Sequence, residues 1–269
     1  MTQVPTQSER SPALRVAGLQ LRHWRRLRRL SQLALSVESG VSSRHLSFVE
    51  TGRAVPSRDV VLRLADSLEI PVRERNALLV AAGYAPVFQE RSLDDPSLAP
   101  VRAAVELILE RQKPYPAFAI DRHWNIVASN GALQEMYDGV AEALLKPPVN
   151  ALRLSLHPRG IAPRIENLGE WRTHLLGRLD QQCDATADGS LMSLRNELRG
   201  YPGPPAAHGH DAGVVIVPLR LRLRPGLFSF FSATMVFGGT LDVTLSELAV
   251  ECFFPADAAT SELVDRVVA

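Results

Sequence analysis

Residues 31–53, SQLALSVESGVSSRHLSFVETGR, restrict the fold of this chain more than any other stretch. Ser31 and Ser42 each precede a short segment of helical pattern, where a serine hydroxyl can accept from the free backbone N–H groups at the start of a helix. Gly40 lies in the turn between the segments, and Gly52 follows the second, where a left-handed residue ends a helix at little cost. Two such short helices must pack on neighbours to be stable.

The apolar faces of this pair are predicted to consist of Leu33, Val37, Val41, Leu46 and Val49. Helical patterns are predicted at about residues 18–30, 32–39, 43–51, 57–68 and 72–82. Joined by short turns, these segments predict a compact all-α bundle. The central pair has the pattern of a helix-turn-helix, whose second helix can enter the major groove of DNA.

Charge is distributed unevenly behind a formal net charge of +1. Residues 1–80 contain thirteen arginines, no lysine and seven acids, so this part carries +6 and the remainder −5. A basic run is often only a solvated face. Next to a helix-turn-helix pattern, however, it favours a nucleic-acid-binding module fused to a second, mildly acidic module.

Several protein classes are disfavoured by the composition. The two cysteines, Cys183 and Cys252, are far apart and lack a CxxC neighbour, which argues against a disulfide framework and a zinc finger. Apolar runs stay below the ~20 residues of a membrane helix, and the first residues lack the apolar core of a signal peptide, so we expect a cytoplasmic protein without a membrane partner. His208 and His210 form only a weak metal candidate, and catalytic motifs are lacking, so we expect no enzyme and no metal site.

Residues 15–85 resemble the XRE family of Cro-like repressor domains. The resemblance depends on Ser31-Gln32, the turn at residues 40–42, the pair Leu46 and Val49, and Glu50-Thr51-Gly52-Arg53, in this order and spacing. It implies a lambda-repressor-like five-helix fold that binds a double-stranded DNA operator. The DNA contacts that it implies are Gln32, Thr51 and Arg53 on the backbone and Ser43, Arg44 and Phe48 on bases, with Ser47 on the same face. It also implies a structural ion pair between Arg25 and Glu50.

The side-chain chemistry agrees with these roles while leaving alternatives. Arg44 could donate to guanine O6 and N7, which is worth ~1–3 kcal/mol of discrimination. Phe48 could contact a thymine methyl group or pack beneath helix one or four. Arg53 could clamp a phosphate or be a plain exposed arginine. Arg29 stands where many relatives have glycine, so it must tolerate a strained cap or shift the turn.

After a linker at residues 86–98, the pattern changes to mixed helices and strands. A helix is predicted at 98–113, a β-hairpin around residues 121–124, helices near 131–137, 150–182 and 188–199, a loop at 201–213, strands at 214–223, 227–237 and 248–254, and a last helix at 257–268. This order is typical of a PAS-like α+β fold with an antiparallel sheet. The predicted organisation is therefore a flexible tail at residues 1–13, a DNA-binding domain at 14–85, the linker, and a second domain at 99–269.

The stretch from about residue 100 to 254 resembles the MmyB-like ligand-binding domain. The residues that carry the resemblance are Tyr115-Pro116-Ala117, Asp121-Arg122-His123-Trp124-Asn125, Asn150, Leu152-Arg153-Leu154, Arg164-Ile165-Glu166-Asn167 and Trp171. It implies a ligand of the fatty-acyl type, although the sequence departs from the pattern in its last third. No cofactor is required.

A lipid-like ligand also fits the residues, because each buried methylene of an acyl chain contributes ~0.8 kcal/mol. A carboxylate head group would need a cation. The candidates are Arg153, Arg159 and Arg164, with Asn167 as a neutral donor. The alternative is that these arginines are exposed or pair with Glu166 and Glu170.

Taken together, these features predict a sequence-specific DNA-binding transcription regulator, controlled by a small apolar ligand and acting as a homodimer. The alternative is a constitutive DNA-binding scaffold whose C-terminal domain only dimerises or recruits a protein partner.

Overall fold

The computed structural model describes residues 7–204, 216–237 and 242–268. The chain divides into two compact units between Arg91 and Ser92, with the short segment at Val243 grouped with the first unit. The first unit contains the helices α1 (Gln7–Leu27), α2 (Gln32–Ser39), α3 (Ser43–Glu50), α4 (Arg58–Ser67) and α5 (Val72–Ala81). The prediction of an all-α five-helix domain is therefore confirmed.

The caps of the central helices are those that the sequence predicted. The Ser31 hydroxyl accepts from the backbone N–H of Ala34 at 3.0 Å, and the Ser42 hydroxyl accepts from that of His45 at 3.2 Å. Gly40 ends α2 in the left-handed region with φ of 66°. Each serine satisfies a backbone donor that the first turn of a helix leaves unpaired, so the turn between α2 and α3 is defined locally.

The apolar face that the sequence assigned to α2 is wrong. Leu33 and Val37 are 68% and 76% exposed, whereas Leu35 and Ser39 face the core. Residues two positions apart lie ~200° apart around a helix, so burial of Leu35 turns Leu33 and Val37 outward. The buried core of the first unit includes Leu21, Trp24, Leu35, Val41, Leu46, Val49, Val61, Leu64, Leu68, Ile70, Leu78 and Leu79.

Helix α1 is longer than predicted. It begins at Gln7, within the segment at residues 1–13 that we expected to be a flexible tail; residues 1–6 lie outside the described residues. Gly18, where the sequence placed the start of this helix, instead lies inside it. A Cβ atom at Gly18 would come within 2.9 Å of the Glu50 carbonyl oxygen. Glycine therefore allows α1 to lie directly against the end of α3.

The second unit combines helices with one five-stranded antiparallel sheet in the order β2-β1-β5-β4-β3. Its elements are α6 (Ala99–Gln112), β1 (Ala117–Ile120), β2 (Ile126–Ser129), α7 (Gly131–Gln134), α8 (Glu142–Leu145), α9 (Ala151–Leu156), α10 (Leu168–Thr186), α11 (Gly189–Arg199), β3 (Leu219–Arg222), β4 (Leu227–Val236), α12 (Val243–Ser246, whose first residue is grouped with the first unit), β5 (Ala249–Pro255) and α13 (Ala258–Val268). The predicted α+β class with an antiparallel sheet is confirmed.

Two segments of the second unit differ from their predictions. The strand expected at residues 214–223 is strand only at Leu219–Arg222, because residues 216–218 are irregular and residues 214–215 lie outside the described residues. Most of the loop predicted at 201–213 also lies outside them. The helical stretch predicted at 150–182 consists of α9 and α10, with a 3₁₀ turn at Ala162–Arg164 between them.

Both faces of the sheet are covered, and each face packs against a different hydrophobic cluster. On one face Ala117, Ala119, Val250 and Cys252 pack under α6. On the other face the aromatic side chains Phe118, Phe228, Phe230 and Phe253 join the apolar side chains of α9, α10 and α11 in the main core. Since side chains alternate across a strand, the short strands supply both cores at once. The second face contains the cavities described below.

Candidate nucleic-acid interface and ligand cavity

Helix α3 has one buried and one accessible face. Leu46, Val49 and Glu50 are buried. The predicted DNA-contacting residues are all half-buried or exposed, namely Ser43, Arg44, Ser47, Phe48, Thr51 and, just beyond the helix, Arg53. The spacing of positions 44, 48 and 51 places them on the face opposite the core, whereas position 47 lies at its side and position 43 lies in the first turn, on the side of Leu46 and Glu50. The helix therefore presents a continuous surface of polar, cationic and aromatic side chains.

Arg44 and Phe48 form a contact within this surface. The Arg44 guanidinium carbon lies 5.6 Å from the centre of the Phe48 ring, which is cation–π distance. Phe48 is half-buried and is not among the described side chains that form or cover the core of the first unit. Its ring lies against the Arg44 guanidinium. Thr51 donates its hydroxyl to the Ser47 carbonyl at 2.7 Å and so continues the helix geometry to its end.

Arg25 and Glu50 form a bidentate ion pair beneath this surface. Arg25 donates from Nε to Glu50 Oε1 at 2.6 Å and from Nη2 to Oε2 at 2.9 Å, and its Nη1 donates to the Leu30 carbonyl. Gln32 Nε2 also donates to Glu50 Oε2, at 2.8 Å. The pair thus connects α1, the start of α2 and the end of α3. Gln32, predicted to bind phosphate, belongs to this network.

The carboxyl of Glu50 is held as a carboxylate. Burial by itself would raise the pKa of Glu50, but hydrogen bonds from Arg25 and Gln32 and the positive charge of Arg25 outweigh it, so its pKa lies below the ordinary value. The carboxylate side chain is only 2% exposed and does not face solvent as a repulsive charge toward DNA. Its hydrogen bonds connect the end of α3 to α1 and to the start of α2.

The turn before α2 contains a left-handed residue that is not glycine. Arg29 has φ of 56°, so of the two alternatives, a strained cap or a shifted turn, the structure has the strained cap. Its N–H donates to the Arg26 carbonyl and that of Leu30 to Arg25, so the turn is closed despite the strain of this conformation.

The second unit contains a cleft of about 430 Å³ beside the β3–β4 turn. This volume lies in the range of small-molecule sites. The cleft is lined by Pro114, Pro116, Ala132, Glu135, Met136, Asp138, Arg164, Arg222, Leu223, Arg224, Phe228, Phe230 and Val264. Arg164 is thus the one predicted head-group residue that lines it, and its Nη2 donates to the Met136 carbonyl at 2.5 Å.

The other three predicted head-group residues do not line this cleft. Arg153 forms a bidentate pair with Glu197, at 2.8 and 2.7 Å. Asn167 donates to the Pro218 carbonyl and accepts from the Arg220 N–H, so it holds the start of β3. Arg159 is exposed. None of the three residues lines this cleft or the second cavity, which is described next. Local spacing could not reveal these partners, because they lie 44 to 53 residues away along the chain.

A second, internal cavity of about 60 Å³ lies between the sheet and the helices that cover it. Its lining is apolar except for Ser155, Arg178, Ser232 and Glu251. Arg178 Nη2 donates to Glu251 Oε1 at 2.5 Å, the Thr234 hydroxyl donates to the same oxygen, and the Arg178 guanidinium lies 4.8 Å from the Trp124 ring centre. This pair was not predicted from the sequence. A lone glutamate inside the apolar strand AVECFFP was the available signal.

The motif at residues 121–125 has a structural function. The Asp121 carboxylate accepts from the N–H groups of His123 and Asn125 at 2.8 and 2.9 Å. Asn150 donates to the His123 carbonyl, and Trp124, with φ of 67°, donates its indole N–H to a glutamine of α10. These bonds connect the β1–β2 turn to α9 and α10. This structural role accounts for the Asp, His, Trp and Asn side chains at residues 121–125.

Neither a membrane segment nor a metal cluster is found in the described parts of the chain. Over residues 7–204, 216–237 and 242–268, no helix has both the length and the apolar character to cross a bilayer. The same residues contain no grouping of three or more His, Cys, Asp or Glu side chains suited to a metal ion. The histidines 208 and 210, the weak metal candidate, lie outside the described residues.

Comparison with known proteins identifies the family. A family model described as "MmyB-like transcription regulator ligand binding domain" matches residues 101–266, more than half of the chain. The chain belongs to this family. A second model, described as a helix-turn-helix domain, matches residues 17–78. The chain thus combines a helix-turn-helix domain with a ligand-binding domain of the MmyB-like transcription regulator family.

Individual relatives and solved structures match different shares of the chain. The HTH-type transcriptional regulator RghRB of Bacillus subtilis, itself described as uncharacterized, is 39% identical over 74 residues, which are 27% of this chain and 51% of the relative. The chain therefore spans about half the length of this relative. The restriction-modification controller protein C.AhdI from Aeromonas hydrophila is 35% identical over 23% of this chain and 94% of that chain, with a TM-score of 0.22. An RNA-binding light-oxygen-voltage receptor is 12% identical over 99% of this chain and 69% of that chain, with a TM-score of 0.28.

Proposed function

We propose that this MmyB-like regulator binds a specific DNA operator as a homodimer and that a small apolar ligand, such as a fatty-acyl compound, controls the binding. The observation that carries the DNA part is the exposed face of α3, where Arg44 lies over the Phe48 ring while Glu50 anchors the helix from beneath. A dimer would place two such helices ~34 Å apart, so the operator should have two-fold symmetry.

The ligand part is supported by the cleft beside the β3–β4 turn. Its volume of about 430 Å³ is sufficient for a small molecule, and its walls include Phe228, Phe230 and Val264. The antiparallel strand order is also the basis on which we propose a PAS-like sensor domain. We assign no catalytic activity to the chain, since the cleft residues are explained by binding.

The test combines operator selection with ligand titration. Full-length protein first selects its operator from random DNA, and operator affinity is then measured with increasing decanoate. A ligand changes this affinity only if it binds one arrangement of the protein better than the other. Operator affinity that stays constant while the protein is saturated with decanoate would contradict control by such a ligand.

A constitutive DNA-binding scaffold is the second candidate. The small internal cavity of about 60 Å³ favours it, because a tightly packed interior needs no ligand. Lipid extraction and mass spectrometry of the purified protein distinguish the two. A bound lipid supports the sensor, whereas lipid-free protein whose DNA affinity responds to no added ligand supports the scaffold.

A further inference from the structure

Helix α1 presents two exposed arginines beside the end of α3. Arg15 and Arg22 are both exposed and stand seven residues apart, so they lie two turns apart on one side of the helix. Between them, Gly18 lies against the Glu50 carbonyl at the end of α3. The side of α1 that carries the two arginines therefore borders the side that packs on α3.

Arg15 lies beside the residues that follow α3. A Cβ atom at Gly52 would come within 3.0 Å of Arg15 Cγ and 3.4 Å of its Cα. A glycine at this position leaves room for α1 to come this close to the turn. Gly52 stands between Thr51 and Arg53, which are both predicted to contact the DNA backbone. The side chain of Arg15 therefore begins within the same part of the surface.

Arg22 lies near the third predicted backbone contact, Gln32. Burial raises the pKa of Glu50, but hydrogen bonds from Arg25 and Gln32 and the positive charges of Arg25 and Arg22 lower it below its ordinary value. Arg22 is thus close enough to act on this carboxylate through its charge. Both carboxylate oxygens already accept from Arg25, so the guanidinium of Arg22 is left at the surface.

The two exposed arginines differ from their neighbours on α1 in having no carboxylate partner. Arg25 pairs with Glu50, and Arg28 donates to two backbone carbonyls. Over the described residues of the chain, neither Arg15 nor Arg22 forms an ion pair. The sequence between residues 10 and 30 contains seven arginines and no acid. Uncompensated cations on a rigid helix attract a polyanion.

The geometry points to α1 as a second DNA-binding element, in which Arg15 and Arg22 each donate to a backbone phosphate next to those contacted from α2 and α3. The fork of donors on a guanidinium matches phosphate oxygens. Phosphate contacts hold a protein on the duplex without reading its sequence, so α1 should add affinity while α3 supplies specificity. This inference rests on the proposed DNA-binding function and extends its surface.

The salt dependence of DNA binding tests the two arginines in the full-length protein. The affinities for the selected operator and for a duplex of random sequence are measured over a range of NaCl concentrations with wild type, Arg15→Gln and Arg22→Gln. Each lost phosphate contact should reduce the steepness of log affinity against log salt by about 0.9, and the double variant should reduce it about twice as much. Both duplexes should lose affinity by the same factor.

Control variants separate the phosphate contact from other effects. Glutamine and arginine have similar helix propensities, so α1 should be preserved. Arg111→Gln removes an exposed arginine of α6 in the second unit and should keep the wild-type salt dependence. Arg15→Lys and Arg22→Lys keep the charge and should also keep it. Lysine variants that behave like the glutamine variants would attribute the change to altered structure and overturn the inference.

The outcomes also separate this inference from the proposed function. Wild-type salt dependence in Arg15→Gln or in Arg22→Gln would overturn the assignment of that arginine. A lower ratio of operator to random-duplex affinity in either variant would indicate base reading and overturn the backbone contact. If wild type binds neither duplex, the proposed DNA-binding function itself fails.

Discussion

The two units of this regulator each bury one glutamate against an arginine from a distant element, but they use the pair differently. In the first unit Arg25 reaches Glu50 from 25 residues away, and Gln32 completes the network beneath the exposed face of α3. In the second unit Arg178 reaches Glu251 from 73 residues away, and the pair lines the internal cavity. One pair supports a surface, whereas the other forms part of an interior.

The difference determines how function and stability are related in each unit. Apart from Gln32, which also donates to Glu50, the side chains proposed to bind DNA are accessible and lie outside the network that supports α3. The side chains proposed to bind ligand lie in a cleft whose walls are part of the core of the second unit. Substitutions should therefore separate binding from folding in the first unit and couple the two in the second.

The largest effect should come from Arg25→Ala. It leaves the Glu50 side chain, 2% exposed, without its cation, and removing one partner of a buried pair costs about 3–5 kcal/mol. Hydrogen exchange of α1 and α3 amides in the full-length protein measures the loss. Arg63→Ala breaks only the exposed pair with Asp59 and should cost less than about 0.5 kcal/mol. If α1 and α3 amides are equally protected from exchange in the Arg25 and Arg63 variants, the Arg25–Glu50 pair does not stabilise the contact between these helices.

Arg178→Ala should have a smaller but clear effect on the second unit. Glu251 is 3% exposed and keeps the Thr234 hydroxyl, so we expect a loss of about 2–3 kcal/mol. Hydrogen exchange of the β4 and β5 amides in the full-length protein measures this loss of stability. Lys113→Ala, which removes an exposed pair with Glu110, is the control. Unchanged β5 exchange would mean that this pair, unlike Arg25–Glu50, adds nothing to the fold.

Arg44→Ala should weaken specific operator binding by about 1–3 kcal/mol without destabilising the first unit. Arg44→Lys retains the charge and should preserve non-specific binding, but it loses the forked donor pair. Binding assays with operators altered at one base at a time measure the change. If Arg44→Ala is neutral at every operator base, the assignment of α3 as the reading helix is wrong.

The smallest expected effect is a loss of stability of the first unit at low pH. Because the folded-state pKa of Glu50 is depressed, its stabilising contribution is complete above its unfolded value of 4.5 and is lost as pH falls through the folded pKa. Protection of α3 amides in wild type should therefore decline below about pH 4.5, and Arg25→Ala should flatten this part of the decline. Parallel acid profiles for the two proteins would count against this linkage.

Prediction from the sequence succeeded where the decisive interactions are short. Ser31 and Ser42 bond to N–H groups three residues ahead, so the helix boundaries could be read from local spacing. It failed where distant elements meet. Leu33 and Val37 are apolar yet exposed, since packing selected the opposite side of α2. Arg153 and Asn167 have the right chemistry for a head group but are held by Glu197 and by β3.

By itself, the sequence determined the helix-turn-helix, its caps and the change to an α+β domain, because those signals act within one or two turns of chain. The tertiary structure alone decided which of the four predicted head-group residues lines the cleft. Arg164 differs from its neighbours only in what surrounds it, a carbonyl and apolar walls in place of a carboxylate. Such a difference arises when segments far apart in sequence are packed together, and residue type does not record it.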